Sequence, residues 1–408
     1  MFDVNKIRKD FKMLDKTMQG HKLVYFDNAA TSLTPNCVID AMNDYYFNYK
    51  SNSHSNDSDI SLQVTKEIEK TRKIVADFIN ADVNEVVFTT GTTQSLNFVA
   101  FGYALKNINQ DDEIILNVAE HASNLLPWYE VADKKSAKIV YAPLNQDGVV
   151  TLETIKKVVN KRTKLISIAY VGNVLGQQNE VEKIISFAHQ NNIVVVVDAA
   201  QAVAHQKIDV KAMDCDFLAF SAHKMCGPTG IGVLYGKYDL LEQTDSLLLG
   251  GGMNVRFDNK PSMLLKHAPI KFEGGTQALA EIIGFAKAIE YINSIGLDNI
   301  QQYEKELKEY AIKKLSKLDN IIIYNQNSKS AIITFNIKGV FCQDAGTYFN
   351  YKGIAVRSGH HCAKLLPEFL KQVGTVRASL YFYNTFEEID EFVEVCQHGG
   401  DFLDAFIN

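Results

Sequence analysis

The chain has 408 residues, 46% of them hydrophobic and 22% charged, with a net charge of −6. That length is generous for one core and predicts two domains. The acidic balance offers no basic field for nucleic acid, and no apolar run reaches the ~20 residues that span a bilayer.

The first residues, MFDVNKIRKDFKML, lack the apolar core of a signal peptide; Phe2, Ile7, Phe11 and Leu14 are expected on one face of a short amphipathic helix. The six cysteines are scattered and contain no C-x-x-C pair. This speaks against a zinc cluster or a disulfide framework and predicts a reducing, cytoplasmic setting.

LVYFDNAATSLTP (23–35) reads as a strand running into a turn of capping residues, with Pro35 suited to the first turn of a helix. SNSHSNDSD (51–59) is a polar loop in which His54 reads as a surface histidine. A long amphipathic helix is predicted over about 60–80. EVVFTTGTTQSLNFVAFGYAL (85–105) is a strand, Glu85 to Thr89, that meets Gly91-Thr92-Thr93 at a helix start. Such a glycine with two hydroxyls can cradle a phosphate, although capping by threonine explains it too. In DEIILNVAEHASNLLPW (112–128), His121 stands where a helix should begin. TKLISIAYVGNVLG (163–176) repeats strand and turn, with Asn173 in the turn. Strands alternate with helices from about 85 to 235, which predicts an α/β fold with a mainly parallel sheet wrapped by helices.

The most informative stretch is 193–235. Ile193 to Val197 is a run of five β-branched residues, expected of a strand buried on both faces, and it ends at Asp198. Phe217 to Phe220 is a second buried strand, followed by Ser221, His223 and Lys224 and then a glycine-rich turn. A carboxylate and a lysine at the ends of two buried strands suit pyridoxal 5'-phosphate (PLP), which needs a lysine for its Schiff base and an acid at its ring nitrogen.

Beyond LLLGGGMNVRF (247–257), KFEGGTQ places Thr276 before a long helical region of about 278–318. SAIITFNI (330–337) and IAVRS (354–358) are expected as strands of a smaller α+β domain. A final helix carries Phe386, Ile389, Phe392 and Val395. The predicted division is an N-terminal segment (1–20) packing with the small domain, a large cofactor-binding domain (21–265), and a connecting helix with the small C-terminal domain (266–408). In AVRSGHHCAK (355–364), Cys362 lies close to Arg357 and two histidines, a setting that favours a reactive thiolate. Arg377, in RASLYFYNT, is a candidate for bidentate capture of a carboxylate.

Together YFDNAATS, FTTGTTQSLNFVA, EHASNLLPW, GNVLG, DAAQAVAH, SAHKMCGPTGIGVLYG, GGGM, EGGTQ, RSGHHCA and RASLYFYNT resemble the SufS-like cysteine desulfurases, within the class V aminotransferases of PLP fold type I. The resemblance covers nearly the whole chain. It implies conversion of L-cysteine to L-alanine, with sulfur held as a persulfide on Cys362 and passed to an acceptor protein of SufU or SufE type for iron–sulfur cluster assembly or other sulfur transfer. It implies that Lys224 holds PLP and removes the substrate Cα proton, Asp198 pairs with the ring nitrogen, Gln201 meets the phenolic oxygen and His121 stacks on the ring. Thr92, Thr93, Ser221 and His223 would hold the phosphate, with Thr276 reaching it from the other subunit of a homodimer. Asn173 and Arg377 would bind the substrate carboxylate. Related alternatives are a selenocysteine lyase or a cysteine sulfinate desulfinase; an alternative of another class is a non-catalytic PLP-fold scaffold.

Departures from the family pattern fall at His54 to Ser58, where an arginine and a second histidine are missing, and at Gly275-Thr276-Gln277, where relatives have Gly-Thr-Pro. After Cys362 the proline is delayed to Pro367, so the segment carrying the thiol is expected to be looser.

Overall fold

The computed structural model describes residues 2–53, 57–259 and 262–399. Its centre is a seven-stranded sheet of β1 (Val86–Thr89), β2 (Glu113–Asn117), β3 (Lys138–Ala142), β4 (Thr163–Ala169), β5 (Val194–Asp198), β6 (Phe217–Ser221) and β7 (Gly232–Gly236). The order across the sheet is β1-β7-β6-β5-β4-β2-β3. β7 runs antiparallel to both its neighbours, and the other pairings are parallel. The fold is therefore α/β as expected, with one reversed strand that composition does not announce.

Alternate residues of the central strands feed two cores. Val195, Val197, Leu218 and Phe220 face one layer of helices, while Val196, Phe217 and Ala219 face the other. That two-sided burial accounts for the unbroken apolar runs in these strands. The first layer includes α1 (Asp59–Ile79), whose start is capped by Ser58 accepting from the Ser61 N–H. His54, which the sequence reads as a surface residue, lies with residues 55 and 56 outside the described residues.

The smaller sheet comprises β8 (Ile321–Ile323), β9 (Ile332–Ile337), β10 (Arg357–Gly359) and β11 (Thr375–Ser379), ordered β8-β9-β11-β10 and antiparallel throughout. Phe335, Phe349 and Phe392 pack as an aromatic cluster beneath it. The run 354–358 is split rather than forming one strand: Ile354–Ala355 pairs in parallel with Val24–Tyr25, and only Arg357 onward joins the small sheet. The helical region after Thr276 is likewise two helices, α2 (Leu279–Ile295) and α3 (Leu297–Leu315). They are broken at Gly296, whose φ of 88° ends the first helix without a Cβ penalty.

The N-terminal helix is only Val4–Arg8, with a separate 3₁₀ turn at Lys12–Asp15. Its contacts reach the C-terminal third. Arg8 pairs with Glu388 at 2.7 Å, and Phe2 stacks on Tyr303 with centroids 4.4 Å apart. The loop after Tyr25 bridges the two sheets. The Ala29 N–H donates to Ser379 Oγ at 2.8 Å, and the Ser32 N–H donates to the His223 carbonyl at 2.9 Å.

Candidate active site

A cavity of about 180 Å³ opens at the carboxyl ends of the parallel strands, between the two sheets. This is where open α/β sheets place their ligands. Of the twelve residues singled out in the sequence, eleven line it: Thr92, Thr93, His121, Asn173, Asp198, Gln201, Ser221, His223, Lys224, Cys362 and Arg377. Thr276 is exposed and does not line the cavity of its own chain.

Most of these side chains arrive by strand ends, while Arg377 projects from the middle of β11. β5 delivers Asp198, whose carboxylate accepts from the Ala200 N–H at 2.9 Å. β6 delivers Ser221, then a short turn carrying His223 and Lys224. From β1 the chain turns at Gly91, and the next helix begins at Thr92. Gly91 has a φ of 147°, and a Cβ there would lie 3.1 Å from Ser221 Oγ. Glycine therefore lets the two strand ends close together. Ser221 Oγ accepts from the Thr92 N–H at 2.8 Å and lies 2.7 Å from Thr92 Oγ1, while Thr93 Oγ1 meets Ser123 Oγ at 2.8 Å. Four hydroxyls thus gather at one end of the cavity.

At the other end Arg377, 2% exposed, donates to the Asn173 carbonyl at 2.8 Å and to Asp27 Oδ1 at 3.1 Å. Part of its guanidinium is thus already engaged by the protein. Arg377 Nε and Asn173 Oδ1 are buried without a partner. Buried polar groups are rarely left so, and this donor and acceptor suit the carboxylate and amine of an amino acid. The Asn173 side-chain amide donates to the His361 carbonyl at 2.8 Å, and the Ala122 N–H donates to the Cys362 carbonyl at 2.8 Å. His361 and Cys362 both have left-handed backbones, with φ of 52° and 60°. Cys362 itself is exposed. In the segment that follows it, Ala363 and Leu366 are buried against Val174 and Leu175.

The electrostatics follow from burial among cations. Burial pushes Lys224 down to about 8; Asp198 opposes this, and Arg377 and Arg357 add to it. Burial, with Lys224 and the two arginines, lowers His121 to about 4. His223 is lowered to about 4 by burial and Lys224. Burial raises Asp198 above the ordinary carboxylate range, against the pull of Lys224. The histidines are neutral at physiological pH, so the cavity's positive charge resides on lysine and arginine.

The donor set fits PLP. Lys224 and Asp198 share one cavity, hydroxyls for a phosphate gather beside Gly91, and His121 is neutral and able to lie against a ring. Gln201 donates to the Ala29 carbonyl at 2.7 Å, which fixes its amide at the cavity wall.

Several participants escaped the sequence reading. Asp27 reads there as a turn residue, yet it is the counter-ion of Arg377. Ser123 supplies the fourth hydroxyl. Glu120 is a fully buried carboxylate that accepts from the side-chain amides of Asn117 and Asn124 and from the Ala169 N–H, and so holds the turn that carries His121. A charged residue beside a cavity histidine was the available signal for it.

Comparison with known proteins identifies the family. The aminotransferase class-V family model matches residues 24–392. A probable cysteine desulfurase of Halalkalibacterium halodurans is 43% identical over 389 residues, covering 95% of this chain and 96% of the relative. The crystal structure of the cysteine desulfurase CsdA from Escherichia coli superposes with a TM-score of 0.91 at 34% identity, covering 98% and 99% of the two chains. The apo cysteine desulfurase of Thermococcus onnurineus NA1 gives a TM-score of 0.91 at 37% identity, over 97% of each chain.

Proposed function

Since the chain belongs to the class-V aminotransferase family and is a PLP-dependent cysteine desulfurase, we propose that it holds the sulfur of L-cysteine as a persulfide on Cys362 and passes it to an acceptor protein. The observation that carries this reading is that Cys362 lines the same cavity as Lys224 and Arg377 while remaining exposed. A sulfur-carrying thiol must face the substrate on one side and an acceptor on the other.

In this reading Lys224 would hold PLP, Asp198 would pair with its ring nitrogen, Gln201 with its phenolic oxygen, and His121 would lie against the ring. Thr92, Thr93, Ser221 and His223 would hold the phosphate, with Thr276 of the partner subunit completing the cradle in a homodimer. Bound there, PLP supplies an electron sink for charge developing at the substrate Cα.

Arg377 binds the substrate carboxylate through its unpaired Nε–H, while Asn173, whose unpaired Oδ1 can only accept, orients the substrate through its amine rather than its carboxylate. Lys224 Nζ, lowered to about 8, is partly neutral near physiological pH and can take the Cα proton. The thiolate of Cys362 attacks the substrate sulfur. The S–S bond forms as the Cβ–S bond breaks, and Cβ keeps the electron pair and takes a proton. L-cysteine and the Cys362 thiol thus become L-alanine and the Cys362 persulfide, with no outside oxidant. Splitting sulfur transfer into two steps on one nucleophile lowers the barrier of each.

An acceptor of SufU or SufE type, feeding iron–sulfur cluster assembly in the cytoplasm, completes the proposal. The division of the chain at residues 20 and 265 belongs to it as well. The test is alanine release from L-cysteine, L-selenocysteine and L-cysteine sulfinate by wild type and by Cys362→Ala. Loss of the cysteine reaction alone in the variant supports the proposal. Equal loss of all three, or of none, contradicts it.

A further inference from the structure

The buried face of α3 carries Ile300, Tyr303, Glu304, Leu307, Lys308, Ala311 and Leu315. Two of these, Glu304 and Lys308, are an acid and a base that ordinarily carry charge at neutral pH. Glu304 has a partner, His205, at 2.9 Å. Lys308 is 4% exposed, its hydrogen bond is to the neutral carbonyl of Ile332, and no carboxylate among the described residues pairs with it. A buried ammonium with no counter-ion is expensive and is ordinarily neutralised or paired. Burial accordingly pushes Lys308 down to about 7.

This lysine lies on the wall of a cavity of about 740 Å³, between α3 and residues 326–329, which shares no lining residue with the desulfurase site. Four lysines, Lys305, Lys308, Lys313 and Lys329, line it together with Asp298 and Glu309. Glu309 is already 3.9 Å from Lys305. The remaining wall is rich in side-chain amides, those of Gln301, Gln302, Gln326 and Asn327, whose NH₂ groups donate to oxygen. A hydrophobic residue at 308 would fill the helix face without a desolvation cost. The ammonium acquires a purpose if a visiting anion supplies the missing counter-charge.

We propose that this cavity is a second binding site, which takes a small oxyanion-bearing molecule, a carboxylate or a phosphate, with the Lys308 ammonium as its central partner. The site is tied to the turn after Asn173: Asn325 donates to the carbonyls of Ile332 and Leu175, both at 2.8 Å, and Ser328 Oγ donates to the Gly176 carbonyl at 2.7 Å. Occupancy would therefore brace the segment that supports the substrate-binding turn. The inference is independent of the persulfide reading, because it uses none of the same residues.

The test is calorimetric titration of the PLP-loaded enzyme with inorganic phosphate and, separately, with malonate, at ionic strength matched with chloride. At least one probe should bind saturably without perturbing the cofactor's absorption, and the tighter of the two identifies the preferred oxyanion. Lys308→Met, close in length and shape, should weaken that binding by roughly tenfold or more, as expected for loss of a charge-assisted bond. Lys305→Gln with Lys329→Gln should weaken it less, and that pair carries the comparison if the methionine variant does not fold. Absence of saturable binding by either probe, or binding unchanged in the variants, would overturn the proposal and leave Lys308 as a cap on the Ile332 carbonyl.

Discussion

The Ala122 N–H donates to the Cys362 carbonyl at 2.8 Å, joining the turn that carries His121 to the loop that carries the thiol. Ala122 is the first residue of a short 3₁₀ turn whose cap, His121, is extended, a place where proline is tolerated. Ala122→Pro should therefore remove this one donor with little local disturbance. A lost hydrogen bond of ~1 kcal/mol corresponds to roughly fivefold. Single-turnover formation of the persulfide should slow by about that factor while PLP content is unchanged; an unaltered rate would show that the tie does not position the thiol.

Arg377 satisfies the Asn173 carbonyl and Asp27 together and keeps Nε unpaired. A lysine has neither the planar fork nor the reach to serve all three. Arg377→Lys should raise KM for L-cysteine and lower kcat/KM by roughly 10–100-fold, a loss of ~1.4–2.7 kcal/mol. A change confined to kcat would argue against substrate binding by this residue.

Glu120 accepts three hydrogen bonds, and Asn124 is itself committed through Oδ1 to Trp128 Nε1 at 3.1 Å and to Ser167 Oγ. Glutamine at 120 would set an NH₂ group against these donors, and Asn124 could not turn to accommodate it without losing its own partners. Glu120→Gln should cost ~1–3 kcal/mol of stability and shift the absorption of the bound cofactor through displacement of His121. Preservation of both would mean that Glu120 does not position the turn.

His361 is held neutral. Burial and then Arg377 push it down to about 3 from an ordinary 6.5, against the help of the Thr375 carbonyl. The unfolded chain therefore binds a proton at 361 that the folded chain refuses, and the contribution to stability is lost as pH falls from about 6.5 toward 3. His361→Asn should show a smaller drop in thermal midpoint between neutral and acid pH than wild type. Parallel curves would contradict the assignment.

Much of this was legible because chemistry sits at strand ends. Asp198 and Lys224 were readable from two apolar runs that stop at polar residues, and Cys362 from the cations around it. The Arg377–Asp27 pair was not, because its members are 350 positions apart and meet only when the loop after Tyr25 crosses to the small sheet. The reversed direction of β7 depends on the crossover and leaves no mark in its composition. The break at Gly296 was hidden inside a region of sustained helical character, and residues 354–358 read as one strand because nothing local says that two sheets share them.

The central claim is that Cys362 carries the sulfur. Wild-type enzyme loaded with PLP should be mixed with a limiting amount of L-cysteine, without reductant or acceptor, and the peptide containing residue 362 weighed. The account predicts a gain of one sulfur atom on Cys362, matched by an equal yield of alanine, with neither product formed by Cys362→Ala. Alanine from the variant at the wild-type yield, with no added sulfur on residue 362 of the wild type, would contradict it.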